Sequence, residues 1–141
     1  DHAIDYKAQD FVAEVARITD GRGVNVVLDM VAGDYVPRNL RCLAEDGRHV
    51  TIAVQGGMEA TINMAVVMSK RFTLTGSTLR PRSAAFKTLL AQEIAREVWP
   101  LVEESALRPV MDRVFPLAQA PEAHARMEAG ENIGKIVLRV R

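Results

Sequence analysis

The sequence predicts an α/β fold built on a doubly wound parallel sheet, and three observations predict it. Branched apolar runs at residues 24–31 and 48–54 are nearly continuous rather than alternating, the look of strands in a parallel sheet with both faces covered. Helical periodicities stand between them. Glycines at 21, 23 and 47 close those helices, so strand and helix alternate as in crossover-linked units.

The elements follow in order. "AIDY", residues 3–6, is a short strand. Asp10 is the N-cap of a helix to Thr19, whose Phe11, Val12, Val15, Ala16 and Ile18 recur on one face. "VNVVLDMV", residues 24–31, is a strand buried on both sides. Asp34 caps a second helix with Pro37 in its first turn, where a missing N–H costs little. Tyr35, Val36, Leu40 and Leu43 form its buried side, and Gly47 closes it. "RHVTIAV", residues 48–54, is the next strand.

Gly56 and Gly57 follow that strand directly. "INMAVVMSK" is a short helix, and "FTLTGSTL", residues 72–79, alternates as a strand should. A long helix spans 83–104, with Phe86, Leu89, Leu90, Ile94, Val98 and Leu101 inward and Pro100 dividing it. The last third reads as a strand in "LRPVMDRVFPLAQ", a helix from Pro121 to Gly130, and a final strand at 134–140.

Totals narrow the function classes. The chain has 141 residues, 48% hydrophobic and 26% charged, which suits an ordinary globular domain. Lys plus Arg equals Asp plus Glu at 18 each, so the balance makes no case for nucleic acid or an anionic membrane. No apolar run approaches the roughly 20 residues that span a bilayer. Cys42 is the single cysteine, which fits a reducing, cytoplasmic setting. His2, His49, His124 and Cys42 lie too far apart for metal-ligand spacing. Met58, Met64 and Met68 read as core filler.

Ligands of an open parallel sheet bind beyond the carboxyl ends of its strands. Here those ends are Asp5–Tyr6, Asp29–Val31, Ala53–Gly56 and Gly76–Thr78. Gly56 and Gly57 either make a turn or let a flat ligand approach bare backbone. Asp29, in an apolar strand, is a hydrogen-bonded structural carboxylate, a helix cap, a ligand contact or a base. Ser77 and Thr78 show no His–carboxylate partner in sequence, so a hydrolytic nucleophile is not expected.

"LRPVMDRVFPLAQAPEAHARMEAGENIGKIVLRV", residues 107–140, resembles the C-terminal end of the medium-chain dehydrogenase/reductase superfamily. More narrowly it resembles the zinc-independent NADPH:quinone oxidoreductase branch. "DHAIDYKAQDF" and "LDMVAGDY" match the same family in the expected order. The resemblance implies a truncated Rossmann-type doubly wound sheet that begins mid-domain, "AIDY" being its third strand. It places a partial nucleotide-binding domain at 1–106. A C-terminal segment at 107–141 would return to a GroES-like domain of the intact subunit.

The resemblance also implies hydride transfer from NADPH to a quinone or related α,β-unsaturated carbonyl, the fragment alone being inactive. It puts Tyr6 near the adenosine 2′-phosphate and Ala53, Val54, Gln55 and Gly56 beside the nicotinamide. Gly76, Ser77 and Thr78 would meet the carboxamide, and Asn132 would lie on the nicotinamide side. It implies no bound metal in this segment and a homodimer through residues 72–78, while the charge balance and hydropathy lead to the expectation of no nucleic-acid or membrane partner. The competing readings are a zinc-type alcohol dehydrogenase or enoyl reductase fragment, and a noncatalytic oligomerising module.

Overall fold

The computed structural model describes residues 2–141. The chain divides into two compact units, 1–82 and 83–141. In the first unit, helix α1 (Phe11–Ile18) leads to strand β1 (Val24–Asp29), helix α2 (Tyr35–Cys42), strand β2 (Leu43–Thr51), helix α3 (Met64–Ser69) and strand β3 (Thr73–Gly76). The sheet runs β1-β2-β3, every pair parallel. Three strands in sequential order, linked by helices, are one half of a doubly wound sheet.

Local signals set the helix starts. Asp10 accepts a hydrogen bond from the Val12 N–H at the head of α1, and Asn63 accepts one from Ala65 at the head of α3. Asp34 occupies the N-cap position of α2, but it has helical dihedrals and its side chain caps no amide. A helical ψ turns the side chain away from the first-turn N–H groups, so the expected cap does not form. Instead Tyr35 and Val36 donate to the carbonyls of Ala32 and Gly33.

Several expected boundaries move. Residues 3–6 form no strand among the described residues; Asp5 accepts from Ala8 and Gln9 and the chain turns. Strands exist by pairing, and this segment meets no ladder. Helix α2 ends at Cys42, five residues before Gly47, because Leu43 is already extended and pairs with Val24. The register then jumps from Leu43 to Arg48 between Val24 and Val26, so 44–47 bulge out of the ladder. β2 stops at Thr51 and β3 at Gly76, both short of the expected ends.

The core of this unit is Leu40, Leu43 and Phe72, backed by Val24, Val27, Val36, Ile62 and Val67. Only one face of β1 is covered. Val26 is 58% exposed and Leu28 66%, which corrects the expectation of burial on both sides. Met58, Met64 and Met68 are exposed rather than core filler.

In the second unit, helices α4 (Ala84–Glu97) and α5 (Trp99–Glu103) are divided just before Pro100, whose ring cannot sit in a helix interior. Ser83 caps α4 through the Phe86 N–H. Of the residues expected inward, Leu90 and Val98 are half-buried, whereas Phe86, Leu89, Ile94 and Leu101 are exposed. Strand β4 (Met111–Pro116), a short 3-10 turn, helix α6 (Ala120–Glu128) and strand β5 (Lys135–Arg139) follow. β4 and β5 pair in parallel, with Phe115 and Ala123 buried beside them. Asp112 takes two hydrogen bonds from Arg126, at 2.6 and 2.9 Å, and a third from the Ile133 N–H. This ties β4, α6 and the turn before β5 together.

Candidate functional site

The parallel sheet places the carboxyl ends of β2 and β3 side by side, because Thr51 pairs with Gly76. Past that pair the Ser77 N–H donates to the Thr51 carbonyl at 3.0 Å. The two chain segments then diverge. Between them opens a cleft of about 440 Å³ lined by Thr51, Ile52, Ala53, Val54, Gly76, Ser77, Thr78 and Arg82. Five expected contacts, Ala53, Val54, Gly76, Ser77 and Thr78, therefore come together. The lining is backbone, the apolar side chains of Ile52, Ala53 and Val54, the hydroxyls of Thr51, Ser77 and Thr78, and Arg82. That set can hydrogen-bond a planar amide and pack against a ring, and it offers no acid or base of its own.

Residues 52–56, of which 52–54 line the cleft, hang on the end of β1 and the turn after it. Ile52 donates to the Asp29 carbonyl at 2.7 Å, Gln55 to Met30 at 3.3 Å and Gly56 to Val31 at 2.6 Å. A Cβ on Gly56 would lie 2.9 Å from the Val31 side chain. Gly56 is therefore bare because it packs on Val31, and the turn reading of the two explains it. Gln55 and Gly56 sit in that turn, outside the lining of the cleft.

Tyr6 lies elsewhere. It is 63% exposed in the turn at 5–8 and lines no part of the cleft. Asn132 belongs to the second unit, where its amide donates to the Gly134 carbonyl and shapes the turn before β5.

Beneath the cleft wall Asp29 belongs to a polar cluster whose other members, His49 and Asn39, sequence reading missed. Asp29 is 4% exposed and His49 3%. Asp29 Oδ1 accepts the Val31 and Ala32 N–H groups at 2.8 and 3.0 Å, and Oδ2 lies 3.1 Å from His49 Nε2. Asn39 Nδ2 of α2 lies 3.4 Å from the same His49 nitrogen, a longer contact that is no hydrogen bond while Nε2 gives its proton to Asp29. Burial pushes the Asp29 carboxyl upward, but the two amides and His49 more than reverse it, and it stays ionised below its ordinary range. Asp29 is thus the structural carboxylate among the readings the sequence left open. The signal that could have found its partner was the register: Val27 opposes His49 and Asp29 opposes Thr51, making Asp29 and His49 diagonal neighbours on one face.

Among the described residues no three His, Cys, Asp or Glu groups gather as metal ligands, and no helix is long and apolar enough to cross a membrane. Cys42 is buried, and burial foremost pushes its thiol up, away from the reactive thiolate.

The family model described as zinc-binding dehydrogenase matches residues 1–138. The chain is 33% identical to a reducing polyketide synthase of Floropilus chiversii over 152 residues, covering 98% of this chain and 6% of that protein. It is 30% identical to a 2-haloacrylate reductase of a Burkholderia species, covering 97% of this chain and 41% of that one. Among solved structures it is similar to an NAD-dependent alcohol dehydrogenase, with 31% identity and a TM-score of 0.72 over 98% of this chain and 37% of that chain. It spans less than half the length of each.

Proposed function

This chain belongs to the zinc-binding dehydrogenase family, and from that premise we propose that it is the nucleotide-side portion of an oxidoreductase passing hydride from NADPH to a quinone or related α,β-unsaturated carbonyl. One observation carries the reading: the cleft at the ends of β2 and β3 gathers Ala53, Val54, Gly76, Ser77 and Thr78. Its fit to a nicotinamide is chemical. Backbone groups and two hydroxyls suit a carboxamide, while Ile52 and Val54 are half-exposed apolar surface for the ring.

When bound, the dihydronicotinamide supplies the hydride, and the protein supplies orientation and exclusion of water. In this chain the Ala53–Val54 backbone and the Gly76–Thr78 segment bind and orient, and Ile52 and Val54 keep water from one side. The 2-haloacrylate reductase is named for an acceptor whose double bond is conjugated to a carboxylate. That name supports a conjugated acceptor.

The turn from β1 into α2, 30–34, carries Asp34 at the N-cap of α2, and an acidic residue there disfavours a phosphate.

The test is turnover by the subunit expressed from its own reading frame, with NADPH or NADH and a panel of a quinone, an enone, a 2-haloacrylate and a primary alcohol. Reduction of conjugated acceptors with NADPH is expected. Alcohol oxidation without conjugate reduction overturns the proposal in favour of an alcohol dehydrogenase, and no turnover with any of them favours a noncatalytic module.

A further inference from the structure

The buried Asp29–His49 pair reaches further than its own core. Asp29 Oδ1 gathers the amides of Val31 and Ala32, which fixes the turn that follows β1. The carbonyls of Asp29, Met30 and Val31 in that turn are the acceptors for Ile52, Gln55 and Gly56. Residues 52–54 line the cleft. Because Ile52 and Val54 are half-exposed, side-chain packing does little to order this wall. Its position comes from the three backbone bonds, and their acceptors are aimed by the carboxylate.

His49 enters from the opposite side. An ionised carboxylate this deeply buried needs a donor on each oxygen. Oδ1 has two amides, and the donor within reach of Oδ2 is His49 Nε2 at 3.1 Å. The carboxylate therefore selects the tautomer with its proton on Nε2.

We propose that Asp29 and His49 are positioning residues for the cleft: His49 donates to Asp29 and holds its rotation, and Asp29 holds the 29–32 turn from which the 52–56 wall hangs. The proposal rests on the reading of this cleft as the cofactor site. Neither side chain lines the cleft, so neither is assigned a chemical step.

The test compares Asp29→Leu, Asp29→Asn and His49→Leu. Asparagine keeps an oxygen for the two amides and can donate to His49 in its other tautomer, so it is the conservative rescue. Two readouts are taken. In the expressed subunit, Asp29→Leu is expected to raise KM for the nicotinamide cofactor about tenfold, with kcat changed much less, the scale on which a displaced positioning element acts. His49→Leu is expected to shift KM in the same direction, and Asp29→Asn to stay near the parent.

In the 141-residue chain, amide exchange at Val31, Ala32, Ile52 and Gly56 is expected to quicken in Asp29→Leu while α1 keeps its protection. If Asp29→Leu does not fold, His49→Leu carries both readouts. Uniform loss of protection, an unchanged KM with local loosening, or asparagine as damaging as leucine each overturns the proposal. If the parent subunit binds no nicotinamide cofactor, the cleft reading falls by itself, and the exchange pattern alone decides whether the pair holds the turn.

Discussion

Gly33 and Gly56 meet backbone against backbone: a Cβ built on Gly33 would stand 2.5 Å from the Gly56 carbonyl oxygen. Gly33 also has φ +53, in the left-handed region that L side chains resist. The two loops that bound β1 and β2 can therefore touch only because neither carries a side chain.

Gly33→Ala is expected to destabilise the chain by about 2–4 kcal/mol, the left-handed penalty plus the displacement of a backbone carbonyl. Gly21→Ala is the control. Its φ is +78 and nothing lies within 4 Å of a Cβ there, so the loss should stay near 1 kcal/mol. Urea unfolding of the two variants checks this, and equal losses would show that the crossing at Gly56 relaxes freely.

Asp112 predicts an acid transition in the second unit. Arg126 foremost, with the Ile133 N–H, holds its carboxyl down from 3.8 to about 2 against the effect of burial. A carboxyl depressed in the folded state binds its proton more readily when unfolded. Its contribution is therefore present above 3.8 and is lost as pH falls through about 2. The parent should lose thermal stability steeply across that window, and Asp112→Asn should show a flatter profile from a lower starting point. Melting curves from pH 5 to 2 decide it; identical slopes would remove Asp112 as the titrating group.

β3 predicts a dimer. It is the outer strand of its sheet, and all four of its residues are exposed. Ser77 donates inward to Thr51, so by alternation the N–H groups of Thr73 and Thr75 also face β2, while those of Leu74 and Gly76 face outward. We propose that this free edge pairs with its copy about a twofold axis. Light scattering should give a dimer for the parent and a monomer for Leu74→Pro, which removes an outward donor. A monomeric parent, or a folded and dimeric Leu74→Pro, rejects the seam.

Tyr6 tests the cofactor's phosphate end. In the expressed subunit Tyr6→Ala should weaken NADPH by about 1–2 kcal/mol through loss of a ring contact and one hydrogen bond, and NADH less. Titration with each cofactor reads the difference. Equal effects on both would make Tyr6 a contact to the shared adenosine or no contact at all.

The order of helices and strands was legible in the sequence because its signals are local. Asp10 and Ser83 start helices by accepting nearby amides, and Pro100 divides one by its missing N–H. The 107–140 segment likewise carried the family by residue pattern alone. The tertiary structure decided what depends on register and pairing. "AIDY" has strand composition but no ladder, and Leu43 leaves α2 early because Val24 takes it into the sheet. Asp29 and His49 are separated by 20 positions, and only the parallel pairing of β1 with β2 sets them diagonally on one face. The cleft residues 51–54 and 76–78 adjoin for the same reason: a ladder fixes which strand ends coincide, and no local preference encodes that.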